Sequence, residues 1–164
     1  MLSDAALQRI DREVAKYPPG QKRSAVMAAL VLAQGEKGWL STEVMDLVAH
    51  YLGMPPVAVY EVASFYTMYN RKPVGTYKLT LCTCLPCGLQ GSLAAADHLK
   101  QRLGIDFDET TPDGMFTLKE GECMGACATA PVVLVNDKRM CDDMTDEKLD
   151  ALIEELARAY ELKG

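Results

Sequence analysis

Apolar residues at Leu7, Ile10, Val14 and Tyr17 recur at helical spacing, and Pro18-Pro19-Gly20 ends that segment. The next run, Ser24 to Gln34, is apolar on nearly every side, as a helix buried within a bundle must be. Gly35 to Gly38 reads as a break. Ser41 then supplies an N-cap, with Glu43 in the first turn and Leu40 and Met45 spaced for a hydrophobic staple. Val44, Leu47, Val48, Tyr51 and Leu52 form the apolar stripe of this third helix, and Gly53 stops it. Pro55-Pro56 open a fourth, carrying Val59, Val62, Ala63 and Tyr66. Phe65, Tyr66, Met68 and Tyr69 at its end are expected mainly as packing residues, with a partner-facing role as the alternative. The pattern predicts a small all-α helical bundle over residues 1–72.

The periodicity changes at Arg71-Lys72-Pro73-Val74-Gly75. Tyr77, Leu79 and Leu81 alternate with polar residues, which predicts a half-buried strand running into Cys82. A helix is predicted from Ser92 to about Leu103, and strands over Met115 to Lys119 and Val132 to Val135. Asn136-Asp137 makes the turn of a hairpin returning through Arg139 to Cys141. A last amphipathic helix begins at Thr145, with Asp146 and Glu147 at its positive end and Leu149, Leu152, Ile153, Leu156 and Tyr160 on its apolar face. Strand, helix, strand, strand, helix is a thioredoxin-like α/β order, assigned to residues 76–164.

Composition narrows the function. Residues 1–75 hold 8 Lys/Arg against 7 Asp/Glu, while residues 76–164 hold 9 against 16, a balance of −7. Nucleic-acid binding needs a positive field, which neither half supplies. The longest apolar stretch, Ala25 to Ala33, is about half of what a bilayer crossing needs. The N-terminus has no signal-peptide core, so the chain is expected to stay in the compartment where it is made and to meet a membrane only through a partner. No G-x-G-x-x-G, G-x4-G-K-[ST] or H-E-x-x-H occurs, so dinucleotide, ATP and zinc-protease chemistry are not written here.

All six cysteines follow position 80: Cys82, Cys84, Cys87, Cys123, Cys127 and Cys141. In a chain with no secretion signal, such clustering favours metal or redox chemistry over structural disulfides. One loop reads Cys82-Thr-Cys84-Leu-Pro-Cys87-Gly-Leu-Gln-Gly91, between a strand and a helix; the other reads Gly121-Glu-Cys123-Met-Gly125-Ala-Cys127-Ala-Thr-Ala-Pro131, between two strands. The outer pair of the first gives C-x4-C and the second gives C-x3-C, so two pairs of thiolates are available to close around a metal or cluster. The glycines and alanines let backbone N–H groups approach an anionic centre, and the following helix turns its positive end toward it. Neither loop carries His, Lys or Arg, which suits an electron carrier better than a hydrolase. Three other readings stand beside this one. Structural zinc is favoured by four thiolates, although only Cys84 and Cys87 have the usual C-x2-C spacing. A thiol–disulfide oxidoreductase would use Cys84-Leu-Pro-Cys87 at the head of a helix, leaving Cys82, Cys123 and Cys127 unexplained. Buried inert thiols are the third, and that description suits Cys141. His50 and His98 read as ordinary helix residues.

The combination of C-x4-C with Pro86 and Cys87-x-x-x-Gly91-Ser92, then Glu122-Cys123-x-Gly125-x-Cys127 and Ala130-Pro131, resembles the thioredoxin-like 2Fe–2S subunit (the E-type family) of respiratory complex I, NADH:quinone oxidoreductase. Gly38-Trp39-Leu40 and the run Val59 to Tyr66 are similar to that family's helical domain, and the Asn136-Asp137 turn also fits. The resemblance implies one 2Fe–2S cluster with ligands at Cys82, Cys87, Cys123 and Cys127. It implies electron transfer with a larger flavoprotein subunit that holds FMN, NADH and a 4Fe–4S cluster, gripped mainly through the N-terminal helices. No independent catalysis by this chain is implied. If the source is bacterial, the place implied is the cytoplasm, peripheral to the inner membrane through the complex. The same module serves as the small diaphorase subunit of NAD-linked hydrogenases and formate dehydrogenases. Cys84 departs from the family pattern and is an alternative ligand to Cys82 after a loop shift; Cys141 has no role there. Glu120 and Glu122, beside the second loop, are expected to pull a cluster's potential down.

Overall fold

The computed structural model describes residues 1–162; the last two positions of the 76–164 expectation lie outside them. The chain folds as two compact units, Met1–Pro73 and one beginning at Val74.

The first unit contains α1 (Asp4–Val14), α2 (Val26–Lys37), α3 (Thr42–Leu52) and α4 (Pro56–Phe65), with a 3-10 turn over Lys22–Ala25 before α2. Ser3 caps α1 by accepting the Ala6 N–H, and its own hydroxyl donates to Glu36 near the end of α2 at 2.6 Å. Tyr17 falls beyond the end of α1 and is exposed. Gly35 does not break α2. The helix runs through it to Lys37 and stops at Gly38, because a single interior glycine costs only about 1 kcal/mol and the packed face on either side outweighs it. Ser41 caps α3 as its sequence predicts, accepting from Val44 N–H, and Gly53 ends the helix in the left-handed conformation, φ 67°. Ile10, Leu30, Leu40, Val48 and Val59 are fully buried at the centre. The Gln34 side chain holds the segment after α4 in place, donating to Met68 O at 3.0 Å and accepting Asn70 N–H at 2.6 Å. The aromatic cluster divides in two: Tyr69 is buried with its hydroxyl on Met27 O, whereas Phe65 is 78% exposed and Tyr66 40%.

The second unit contains β1 (Tyr77–Cys82), α5 (Leu85–Leu89), α6 (Ser92–Leu103), β2 (Phe116–Gly121), β3 (Val133–Val135), β4 (Arg139–Cys141) and α7 (Asp146–Glu161). The sheet order is β2-β1-β3-β4; β1 and β2 are parallel, and the other pairs antiparallel. Register sets Leu79 beside Leu118 and Val135, and Leu81 beside Val133, so these side chains share one face. That face packs on Ala95, Ala96 and Leu99 of α6 and on Leu149, Leu152, Ile153 and Leu156 of α7. Asp150 of α7 ties the two helices, lying 3.1 Å from both His98 Nε2 and Arg102 Nε.

The expectation of a half-buried β1 is corrected. The strand is central, paired on both edges, and five of its six residues are buried. Lys78 on its other face is 3% exposed and meets Asp137 of the hairpin turn at 2.6 Å. The turn forms as expected from Asn-Asp, both residues adopting positive φ.

At the end of β2 the backbone of Gly121 passes close to β1. A Cβ there would sit 2.6 Å from Thr80 Cγ2 and 2.9 Å from Met124 Cε. Gly121→Ala is therefore expected to destabilise the chain by about 1–3 kcal/mol through overpacking, read as a lower denaturant midpoint with an unchanged m-value. Ser41→Ala should cost about 1 kcal/mol by removing the cap of α3; the same measurement checks it, and an unchanged midpoint would show that Val44 N–H finds another acceptor.

Candidate iron–sulfur site

Parallel pairing of β1 with β2 sets Cys82 directly beside Gly121, so the two cysteine loops leave the same end of the sheet. This is the carboxyl end of both strands, where α/β sheets ordinarily bind ligands. Thr83 N–H donates to Gly121 O at 3.1 Å, and Cys82 N–H to Val132 O at 3.0 Å, which fixes the first loop against both ends of the second.

The first loop contains an element that its sequence does not reveal, the five-residue helix α5, with Pro86 in its first turn. Five residues are too few for a periodic signal, although a proline just inside a helix start is a clue. This helix sets Cys87 one turn from Cys84, and Gly88 N–H donates to Cys84 O at 2.8 Å. Cys82 and Cys87 are both buried and pack with Val132. Cys84, Cys127, Met124, Ala126 and Ala130 pack around them half-buried, while Cys123 is exposed. Side chains also stitch the loops together. Thr83 Oγ1 donates to Glu120 at 2.8 Å, Cys84 Sγ lies 3.6 Å from Glu122 Oε2, and Gln90 Nε2 donates to Cys127 O at 2.9 Å. None of these three contacts follows from residue order directly. The parallel register is the signal for them, since it alone brings positions 83–90 beside 120–127.

The thiols form a chain of contacts. Cys82 Sγ is within hydrogen-bonding reach of the Cys87 and Cys84 thiols, and Cys87 reaches Cys127. Burial works against ionisation of Cys82, but the backbone N–H groups of Cys84 and Met124, together with the neighbouring thiols, outweigh it and hold its pKa below the ordinary thiol value. The contact with Cys82, then burial, pushes the Cys87 thiol up to about 12. Burial, then Cys82 and Glu122, pushes Cys84 up to about 11.

The donor set fits an anionic iron–sulfur group. Among the described residues, no three His, Cys, Asp or Glu side chains are placed to hold a single metal ion. Cys82 and Cys87 are buried together with Cys127 packed against them, and a two-iron group takes a pair of thiolates at each iron. Backbone N–H groups already serve the sulfurs: those of Cys84 and Met124 at Cys82, and that of Gly125 at Cys123 Sγ, 3.4 Å away. Cys141 lies apart from these thiols, on β4 against the helix-packed face. His98 is engaged by α7.

Known proteins align with this geometry. The family model for thioredoxin-like [2Fe–2S] ferredoxins matches residues 10–157. The E-type subunit of NADH-quinone oxidoreductase from Rickettsia felis (strain ATCC VR-1525 / URRWXCal2) is 46% identical over 148 residues, which are 90% of this chain and 88% of that one. The mitochondrial NADH dehydrogenase [ubiquinone] flavoprotein 2 of Dictyostelium discoideum is 43% identical over 151 residues, covering 92% of this chain and 61% of that longer one. A crystal structure of an NAD+-reducing [NiFe]-hydrogenase in the air-oxidized state superposes with a TM-score of 0.68 at 22% identity. It covers 79% of this chain and 23% of that one, and the likeness is one of fold. Joined to two cysteine loops at the end of two parallel strands, the family match across most of the chain places it in the thioredoxin-like [2Fe–2S] ferredoxin family.

Proposed function

We propose that the chain is the electron-transfer subunit of an NADH-quinone oxidoreductase. It holds one 2Fe–2S cluster on Cys82, Cys87, Cys123 and Cys127 and exchanges single electrons with the FMN of a partner flavoprotein. The observation that carries this reading is the site itself: two cysteine loops at the carboxyl ends of β1 and β2, with Cys82, Cys87 and Cys127 packed in one cluster and N–H groups directed at sulfur. When bound, a 2Fe–2S group supplies reversible uptake of one electron, with no bond made or broken in the polypeptide.

The chain's own residues then govern how that occurs. Cys82, Cys87 and Val132 exclude water from the inner side, which strengthens every local electrostatic interaction. The N–H groups of Cys84, Met124 and Gly125 stabilise negative charge on the sulfurs and so favour the reduced state. The carboxylates of Glu120 and Glu122, held against the first loop by Thr83 and Cys84, oppose it. Neither loop carries His, Lys or Arg, which suits a subunit whose complex performs its catalysis elsewhere.

The flavoprotein is gripped mainly through the N-terminal helices, where Phe65, Tyr66 and Val57 of the first unit are exposed apolar residues. Among the described residues, no helix is long and apolar enough to cross a membrane. In a bacterium we place the chain in the cytoplasm, at the inner membrane through its complex.

Absorption and EPR spectra of the anaerobically purified protein test the proposal. Two irons and two sulfides per chain, with a rhombic S = 1/2 signal on dithionite reduction, are expected. A colourless chain holding zinc, or a metal-free reversible Cys84–Cys87 disulfide, would overturn it. Serine at Cys82, Cys87, Cys123 or Cys127 should lose or distort that signal, while Cys141→Ser keeps it. Glu122→Gln should raise the midpoint potential, because removing a negative charge beside the centre favours the added electron; an equal or lower value counts against the role given to Glu122.

A further inference from the structure

Gln90 follows α5 as its C-cap and stands between the two cysteine loops. Its own N–H donates to Cys87 O at 3.0 Å, which tightens the end of that helix. Its side-chain amide donates to Cys127 O at 2.9 Å, across 37 positions of sequence. One residue therefore holds the backbone carbonyls of two proposed ligands, one from each loop. Two other side-chain contacts between the loops, Thr83 to Glu120 and Cys84 to Glu122, end on carboxylates rather than on a ligand's own backbone. Cys127 opens the 3-10 turn Cys127–Thr129, directly after Ala126 at φ −114° and ψ 37°. A peptide unit is planar, so fixing the Cys127 carbonyl fixes the plane that follows it and limits where its Cβ can point.

We propose that Gln90 is a positioning residue for the cluster: it sets the spacing of Cys87 and Cys127 and holds the second loop against the first. The inference rests on the 2Fe–2S reading and on these two cysteines as ligands. Ligands spread over two loops bind a rigid group more tightly when they need not be ordered at the moment of binding. The main-chain half of the bridge survives ordinary substitution, because every residue except proline carries that N–H. The side-chain half needs a donor of glutamine's reach. Glutamine supplies it without charge, so the grip leaves the charge of the site unaltered.

The test compares Gln90→Leu, Gln90→Glu and Gln90→Lys with the parent in the 2Fe–2S-loaded chain. The readouts are the rate of iron release to a chelator and the EPR spectrum after dithionite reduction. Leucine removes the donor, glutamate sets an acceptor against the Cys127 carbonyl, and lysine keeps a donor on a long side chain. The Leu and Glu variants should release iron about five-fold faster, the factor carried by one net hydrogen bond, and should show displaced g values. Gln90→Lys should keep the parent's release rate and g values. Parent behaviour in Gln90→Leu would overturn the proposal, as would faster release with unchanged g values, which would mark a stability effect without repositioning. Equal acceleration in all three variants would also overturn it, because the donor would then be irrelevant. A parent chain that takes up no 2Fe–2S cluster overturns the underlying reading instead, and the parent's own spectra show that failure separately.

Discussion

The pairing of β1 with β2 is the constraint on which the site depends. Each cysteine loop taken alone is a short, small-residue segment that cannot enclose anything. The six-residue parallel register from Tyr77 beside Phe116 to Cys82 beside Gly121 brings both loops to one end of the sheet. Parallel strands need a crossover, and α6 provides it, packing Ala95, Ala96 and Leu99 onto the same face as Leu79 and Leu118. The apolar core beneath the sheet and the sulfur cluster at its end are therefore parts of one arrangement. The glycine at position 121 lets the strands approach closely enough for that end to close.

Charge is distributed to match. The second half of the chain is acidic, with a balance of −7 over residues 76–164, yet no charged residue occurs from Leu79 to Ala96 or from Met124 to Val135. The carboxylates nearest the thiols, Glu120 and Glu122, are engaged by Thr83 and Cys84. An anionic centre on the four proposed ligands would therefore sit among neutral backbone dipoles, with two negative neighbours already hydrogen-bonded. Such a site sets its potential through hydrogen bonds and distance, since no lysine or arginine within the loops balances the charge.

Much of this is readable from residue order. Caps and stops at Ser41, Gly53 and Thr145 are local chemistry, and each appears where its sequence places it. The two cysteine loops declare themselves because thiols, glycines and alanines rarely gather for another reason. Features that depend on neighbours distant in sequence are not legible. Lys78 reads as a solvent-facing strand residue until Asp137 arrives from the hairpin turn to neutralise it. Gly35 reads as a helix end until packing carries α2 through it. Helix α5 is too short for periodicity to register, and which sulfur is most readily ionised depends on N–H groups contributed by both loops.

The crossover that builds the site also orders events in time. Helices such as α5 and α6 draw on contacts within a few residues, whereas Cys82 meets Gly121 only after the whole intervening segment has folded back. During synthesis the four proposed ligands emerge as two pairs with no common enclosure, and the second loop leaves the ribosome well after the first. Iron and sulfide can therefore bridge the four proposed ligands only once β1 and β2 have paired, so holding the group and closing that end of the sheet become one event.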